Sequence, residues 1–285
     1  HVLVAGQQVN GARRWINIGG LQFQPSEIAK FTLILLLSRL SSNYGEKAAR
    51  FRYGVLGFGG ALLGILIPLA LEKHLSAIML LGLVAVVMMY IAGTRPKWLA
   101  LGAAGAVVFL LVYIRFMGYA GDRVTAWRNP ELDPGDTGYQ ILQSLYAIGS
   151  GGVFGLGFGK SRQKYLYLPF QYNDYIFAIV CEELGLVGAC GIIFLYALLL
   201  LRGYRIARRA DNRFSTVLAA GLVTLIAVQT ILNLCVVTNL LPSTGIALPF
   251  FSYGGTALAV NLGEMGIVLN ISRSGNNRTI RRKDY

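Results

Sequence analysis

Charge is scarce in this chain: Asp, Glu, Lys and Arg make up 14% of 285 residues, against 55% hydrophobic. Intrinsic disorder needs the opposite balance and is excluded. Cysteine is scarcer still, with three residues, Cys181, Cys190 and Cys235, all inside apolar runs and without CxxC or Cys/His spacing. No disulfide framework follows from them, and they read as small buried hydrophobes. The two histidines, His1 and His74, have no His or carboxylate at metal-ligand spacing, which argues against a zinc site. Glycine is plentiful but lacks the strict period of a collagen. What the chain does have is long apolar runs and a mean hydropathy of +0.56, the marks of an integral membrane protein.

Acidic residues are few, 13 against 26 basic, for a net charge of +13. A nucleic-acid partner would need basic residues interleaved with aromatics on one soluble face, and no such module is visible. A bilayer core of about 30 Å takes roughly 17 to 25 largely apolar helical residues. Windows of that kind predict seven spans, near 26–42, 54–71, 75–94, 98–116, 176–201, 215–239 and 248–271. The first is interrupted by Glu27, Lys30 and Arg39. Every second connector is rich in Arg and Lys: Arg39 to Arg52, Arg95 with Lys97, Arg202 to Arg213, and Arg273 to Lys283. The positive-inside rule places these in the cytoplasm, and residues 1–25 and 117–175 outside. The charge is therefore mainly topological. Val2–Ala5 reads as the tail of an earlier apolar stretch, so N-terminal spans are expected to be missing, and 272–285 is expected to be a cytoplasmic tail.

Segment 117–175 is long for a structureless loop and is expected to carry short helices and function. Residues 138–148 have apolar positions at helical spacing. The glycine-rich run Gly149–Ser161 fails as a phosphate-binding Walker loop, because Phe154 stands where that motif requires glycine. A tight re-entrant turn with close backbone packing is the better reading.

Ionisable residues in or beside a span are costly and mark a site by default. Asp174, at the mouth of the fifth span, is the best placed, its alternative being a helix N-terminal acid that favours the dipole. Glu182 and Glu183 lie about two turns deeper, and one of them should pair with a cation. Glu27 and Lys30, at i and i+3, can neutralise each other. Glu264 has no cation near it in sequence and needs a partner from another helix or a proton. Arg13-Arg14-Trp15 fits either a guanidinium fork for phosphate or an aromatic belt with snorkelling arginine.

Taken in order, these motifs resemble the SEDS family (shape, elongation, division and sporulation) of RodA, FtsW and SpoVE type. The resemblance rests on Asn10–Ile16, on Gln24-Pro25-Ser26-Glu27 with Lys30, on Gly138-Tyr139-Gln140 and on Ala147–Gly152. It continues through Gln163-Lys164, Leu168-Pro169, Asn173–Ala178, Glu182–Gly185, Val236–Pro242 and Pro249–Gly255, and so covers nearly the whole chain. It implies an all-α polytopic fold of ten transmembrane helices, of which this chain holds seven in a single domain over 1–285. The large outer loop, 117–175, would be extracytoplasmic. Two departures stand out: many relatives carry Gln/Glu-Pro-Asp-Leu-Gly where this chain has Glu72-Lys73-His74-Leu75-Ser76, and division-type relatives often have acids flanking Leu-Pro where it has Leu166 and Phe170.

The resemblance further implies a peptidoglycan glycosyltransferase in the bacterial cell membrane, joining lipid-linked disaccharides from lipid II. Asp174 matches the family's key acid, and Arg14, Trp15, Glu27 and Lys30 match its substrate-binding positions. Asp174 is then the general base on the acceptor 4-hydroxyl, with Arg14, Lys30 and Lys164 on the donor pyrophosphate and Glu182 and Glu183 in the same site. A divalent cation, Mg2+ or Mn2+, would suit the pyrophosphate, although no residue pattern establishes one. Expected partners are a class B penicillin-binding transpeptidase, other elongation or division proteins and membrane lipids. The rival reading, a lipid II flippase, would use the same charges, but no inverted repeat is visible.

Overall fold

A computed structural model describes residues 7–9, 12–18, 21–72, 74–116, 118–132, 137–164 and 172–281, with side chains described for 24–72, 74–106, 108, 123–131, 137–164 and 172–274. Expectations on Val2–Ala5, Asn10-Gly11, Leu166, Leu168-Pro169, Phe170 and the last four residues lie outside the described residues. The described chain is predominantly helical. Strands β1 (Gln7–Val9), β2 (Ala12–Ile18) and β3 (Leu21–Phe23) form a small antiparallel sheet in the order β1-β2-β3, which the all-α expectation did not include. Its register pairs Gln8 with Arg13 and Ile16 with Phe23. Short antiparallel strands close together in sequence need only local pairing, so hydropathy windows do not register them.

The helices are α1 (Pro25–Tyr44), α2 (Phe58–Leu71, preceded by a wide turn over Arg52–Gly57), α3 (Leu75–Ile91), α4 (Pro96–Phe116), α5 (Gly118–Arg128), α6 (Thr137–Gly151), α7 (Ile176–Arg208), α8 (Arg213–Val237) and α9 (Gly255–Arg281). Among the described residues, Arg52–Leu71, α7 and α8 are long and apolar enough to cross a membrane, and α3 is a shorter apolar helix. The protein is a membrane protein.

Two boundaries differ from expectation. The last helix begins at Gly255 rather than near 248, because Leu248–Ser252 closes a local turn in which the Leu248 amide donates to Ser252 Oγ at 2.7 Å and Phe250 takes φ +66°. At the other end α9 continues to Arg281, through most of the segment expected to be a tail.

The chain divides into two compact units, one of residues 1–103, 199–228 and 254–285, the other of 104–198 and 229–253. In the first, α1 packs on α2, α3 and α9. Leu33, Ile34 and Leu37 of α1, Leu81, Val84 and Met88 of α3, and Leu222 and Ile226 of α8 are buried. A methyl group on Gly221 would stand 2.8 Å from both Ile34 and Met88, so α8 passes close to its neighbours there. Lipid offers apolar side chains no reason to hide from it, and close contact through small residues does the work instead. Arg213 ties the helix ends together, donating to Gly45 O at 2.9 Å, to Ser41 Oγ at 3.2 Å and to Ala92 O.

In the second unit, α6 packs on α5, and Ser144 Oγ donates to Val237 O at 2.9 Å. Ala147, Tyr175, Phe177, Ala178, Val237 and Leu248 form its core. Only 17% of the most apolar window of α7 is buried, against 78% for α8, so α7 presents a broad apolar face outward while α8 is an interior helix.

Candidate functional site

Asp174 sits in the turn that leads into α7, and the second unit holds that turn from several sides. Asn233 of α8, almost fully buried, donates from Nδ2 to Asp174 O at 2.7 Å and to Ile246 O at 2.8 Å. Ser252 Oγ donates to Asn173 O, and the Tyr253 amide to Tyr172 O at 2.7 Å. Arg123 of α5 donates from Nη1 to Ser243 O at 2.8 Å, fixing the turn that carries Gly245. Gly245 has φ +65°, and a side chain there would begin 3.4 Å from Asp174 Oδ2, so the carboxylate faces bare backbone. The side chain is half-buried. Burial pushes the Asp174 carboxyl up to about 6 from its ordinary 3.8, and the Arg123 charge limits the rise. Such a carboxyl is ionised at neutral pH yet more basic than an exposed one, as a general base needs.

Next to this turn, α7 is interrupted. Gly185 takes φ +65° and ψ −168°, which breaks the helix ladder at the amides of Leu186 and Val187 and the carbonyls of Glu182 and Glu183. The glycine-rich loop supplies all four missing partners. Leu186 N donates to Gly152 O at 2.9 Å and Val187 N to Val153 O at 3.2 Å, while Leu156 N donates to Glu182 O at 2.9 Å and Gly157 N to Glu183 O at 3.0 Å. The approach is backbone to backbone. A Cβ on Gly155 would lie 2.1 Å from Glu183 O, and one on Gly151 2.0 Å from Cys181 O. The glycines are thus explained by contact, in keeping with the close backbone packing expected of them.

The two carboxylates complete this knot. Glu183 accepts from Gly159 N at 2.8 Å and Ser161 N at 3.2 Å and pairs with Lys164 at 2.8 Å. Glu182 accepts from Arg162 N at 2.9 Å, Gln163 N at 3.3 Å and Ser161 Oγ. The Lys164 ammonium also donates to Gly159 O at 2.8 Å. Both glutamates are buried and spend their acceptor capacity on the 159–164 loop.

In the first unit, Glu27 and Lys30 form a buried ion pair at 2.6 Å on α1. Glu264 of α9 is also buried, and lies within electrostatic range of both. Arg14 and Trp15 lie in β2. The candidates therefore fall into two sets, each within its own unit: Arg14, Trp15, Glu27 and Lys30, and then Asp174, Lys164, Glu182 and Glu183.

Sequence reasoning missed Arg123, Asn233 and the Ser243–Ile246 turn. Asn233 carried a signal, as an amide inside an apolar span, and such groups are retained where they have partners. Arg123 carried none beyond its charge in the long segment.

The family model for FtsW, RodA and SpoVE, described as a cell cycle protein, matches residues 1–277. The chain belongs to this family. A probable peptidoglycan glycosyltransferase FtsW of Geobacter sulfurreducens is 42% identical over 268 residues, covering 94% of this chain and 72% of that one. Stage V sporulation protein E of Bacillus subtilis is 39% identical, over 94% of this chain and 73% of its own length. Among solved structures, a chain from a peptidoglycan synthase complex, described for its coordination of polymerization and crosslinking, superposes with a TM-score of 0.80 at 30% identity, over 96% of this chain and 77% of that one. The crystal structure of the rod shape determining protein RodA of Thermus thermophilus gives 0.68 at 29%, over 95% and 73%.

Proposed function

We propose that this FtsW/RodA/SpoVE-family chain is a peptidoglycan glycosyltransferase that polymerises glycan strands from lipid II at the outer face of the bacterial cell membrane. The observation that carries this reading is Asp174, a half-buried carboxyl raised to about 6, held by backbone contacts and restrained by Arg123. Relatives named as peptidoglycan glycosyltransferases support it. Asp174 takes the proton of the acceptor 4-hydroxyl as that oxygen attacks C1 of the donor sugar. The bond from C1 to the diphosphate oxygen breaks, configuration inverts, and undecaprenyl pyrophosphate leaves. One carboxylate suffices, because the leaving group needs its charge stabilised more than it needs a proton. On this reading Lys164 meets the diphosphate while sharing its charge with Glu183, and Arg14, Trp15, Glu27 and Lys30 of the other unit are further substrate-binding residues.

Seven spans of a ten-helix architecture, with 117–175 outside and the basic connectors in the cytoplasm, complete the proposal. The similarity to a chain of a peptidoglycan synthase complex supports a class B penicillin-binding transpeptidase as partner. Among the described residues no three His, Cys, Asp or Glu side chains gather to hold a metal. A divalent cation, Mg2+ or Mn2+, bound beside Asp174 would supply charge stabilisation to the leaving diphosphate.

The test is reconstitution of the protein with its partner transpeptidase in vesicles carrying labelled lipid II. A ladder of glycan polymer on gels is expected. Movement of lipid II between leaflets without polymer would replace this function with the flippase.

A further inference from the structure

The glycine-rich loop has a level in the membrane that can be worked out from α7. A hydrocarbon core of about 30 Å takes about 20 residues at 1.5 Å each. Counted back from Leu201, the last residue before Arg202, that length ends beside Glu182. The backbone of 152–157 is bonded to residues 182–187, the outermost stretch of this slab. Irregular backbone is tolerated in hydrocarbon only where its polar groups are satisfied by protein. Here the loop satisfies the four backbone groups that the break at Gly185 frees.

The side chains of the loop follow the same order. Phe154 is 84% exposed and Phe158 88%, beside Leu186 at 60% and Val187 at 58% on the outward face of α7. Next along the chain, Lys160 and Arg162 are exposed, at the level where Glu182 and Glu183 hold the backbone of 159–163. An apolar tip continuous with a lipid-facing helix, followed by a cationic rim at the slab boundary, matches a phospholipid leaflet: acyl chains below, phosphates above.

We propose that the 152–162 loop is a membrane-interface anchor, with Phe154 and Phe158 among the acyl chains of the leaflet and Lys160 and Arg162 on phospholipid phosphates. It would fix the depth of the segment that leads to Asp174 without touching substrate. The occupant is phospholipid, because the apolar patch runs without a step into the outward face of α7, which is itself built for lipid.

The test is nitroxide labelling of the full chain, with Cys181, Cys190 and Cys235 replaced by Ala and a single Cys introduced by Phe154→Cys or, separately, Phe158→Cys. Both side chains are exposed, so neither change removes packing. Leu195→Cys on the outward face of α7 serves as the lipid reference and Asn212→Cys as the aqueous one. In vesicles of phosphatidylcholine and phosphatidylglycerol, the ratio of collisions with oxygen to collisions with a water-soluble nickel chelate is expected to lie well above that of Asn212 and below that of Leu195, which stands about 20 Å further in along α7. A ratio equal to that of Asn212 would overturn the proposal. So would spin–spin broadening between copies at either position, which would assign the patch to self-association.

Discussion

Replacing Asp174 with Asn separates the chemistry of the carboxyl from its cost to the fold. The rise from 3.8 to about 6 corresponds to about 3 kcal/mol, at about 1.4 kcal/mol per pKa unit. That is an upper value, since a partly exposed carboxylate is partly screened. A folded-state value above the unfolded one means stability that is fully present below pH 3.8 and lost as pH rises through about 6. At pH 7.5 the wild type bears the penalty of a desolvated carboxylate, and the amide does not. Asp174→Asn is therefore expected to be more stable than wild type at pH 7.5, by up to about 3 kcal/mol, with the gain gone by about pH 4. The same variant is expected to lose polymerisation by about 100-fold or more, because an amide cannot accept the proton. Thermal unfolding at the two pH values and polymer formation from labelled lipid II read the two effects on one preparation. A variant that polymerises at near the wild-type rate would remove Asp174 as the base. One that is less stable at pH 7.5 would refute the desolvation argument itself.

Arg123→Gln removes the charge that limits the rise at Asp174, so the acid limb of the pH–rate profile is expected to move above about 6, with a larger loss at pH 6 than at pH 8; an unmoved limb would dissociate Arg123 from the base. Gly155→Ala places a methyl group 2.1 Å from Glu183 O at φ +78°, which should expel the loop and strand backbone groups on both sides, lowering stability by about 3 kcal/mol or more in thermal unfolding; a neutral outcome would contradict the described contact. For orientation, Glu131→Cys is expected to react with an impermeant thiol reagent from outside and Asn212→Cys from the cytoplasmic side alone, both positions being exposed, and the reverse pattern would invert the topology. Ser161 is unsuited to that assay because it is buried and bonded to Glu182.

The helices were legible because hydropathy and length carry the information that decides them: α7 and α8 begin within two residues of their expected starts at 176 and 215. The N-terminal sheet was not, since Gln7–Val9, Ala12–Ile18 and Leu21–Phe23 are too short for a period to announce them or their pairing. The start of α9 was missed for a related reason. Leu248, Pro249, Phe250 and Phe251 are as apolar as a span, and only the Ser252 hydroxyl, by taking the Leu248 amide, shows that the backbone turns there.

For the site, residue type and burial could be anticipated, but partners could not. Glu182 and Glu183 stood out as acids inside an apolar run, and the reading that one of them needs a cation followed from the cost of burying charge. Most of their bonds, however, run to backbone amides of 159–163, about twenty residues back in the chain. Backbone donors are present at nearly every position, so no pattern of side chains announces which ones a carboxylate will take. The glycines do announce that something must come close, and Gly151, Gly155 and Gly185 mark the three places where it does. Read together, an acid pair followed two residues later by a glycine, with a second glycine-rich run upstream, describes a helix that is broken and mended by its own preceding loop. That repair explains why the acid proposed as base sits at Asp174, outside the break, and not at Glu182 or Glu183. A carboxylate already holding several loop N–H groups is poorly placed to accept a further proton, whereas Asp174 is fixed through its backbone carbonyl by Asn233, and its carboxylate faces Gly245.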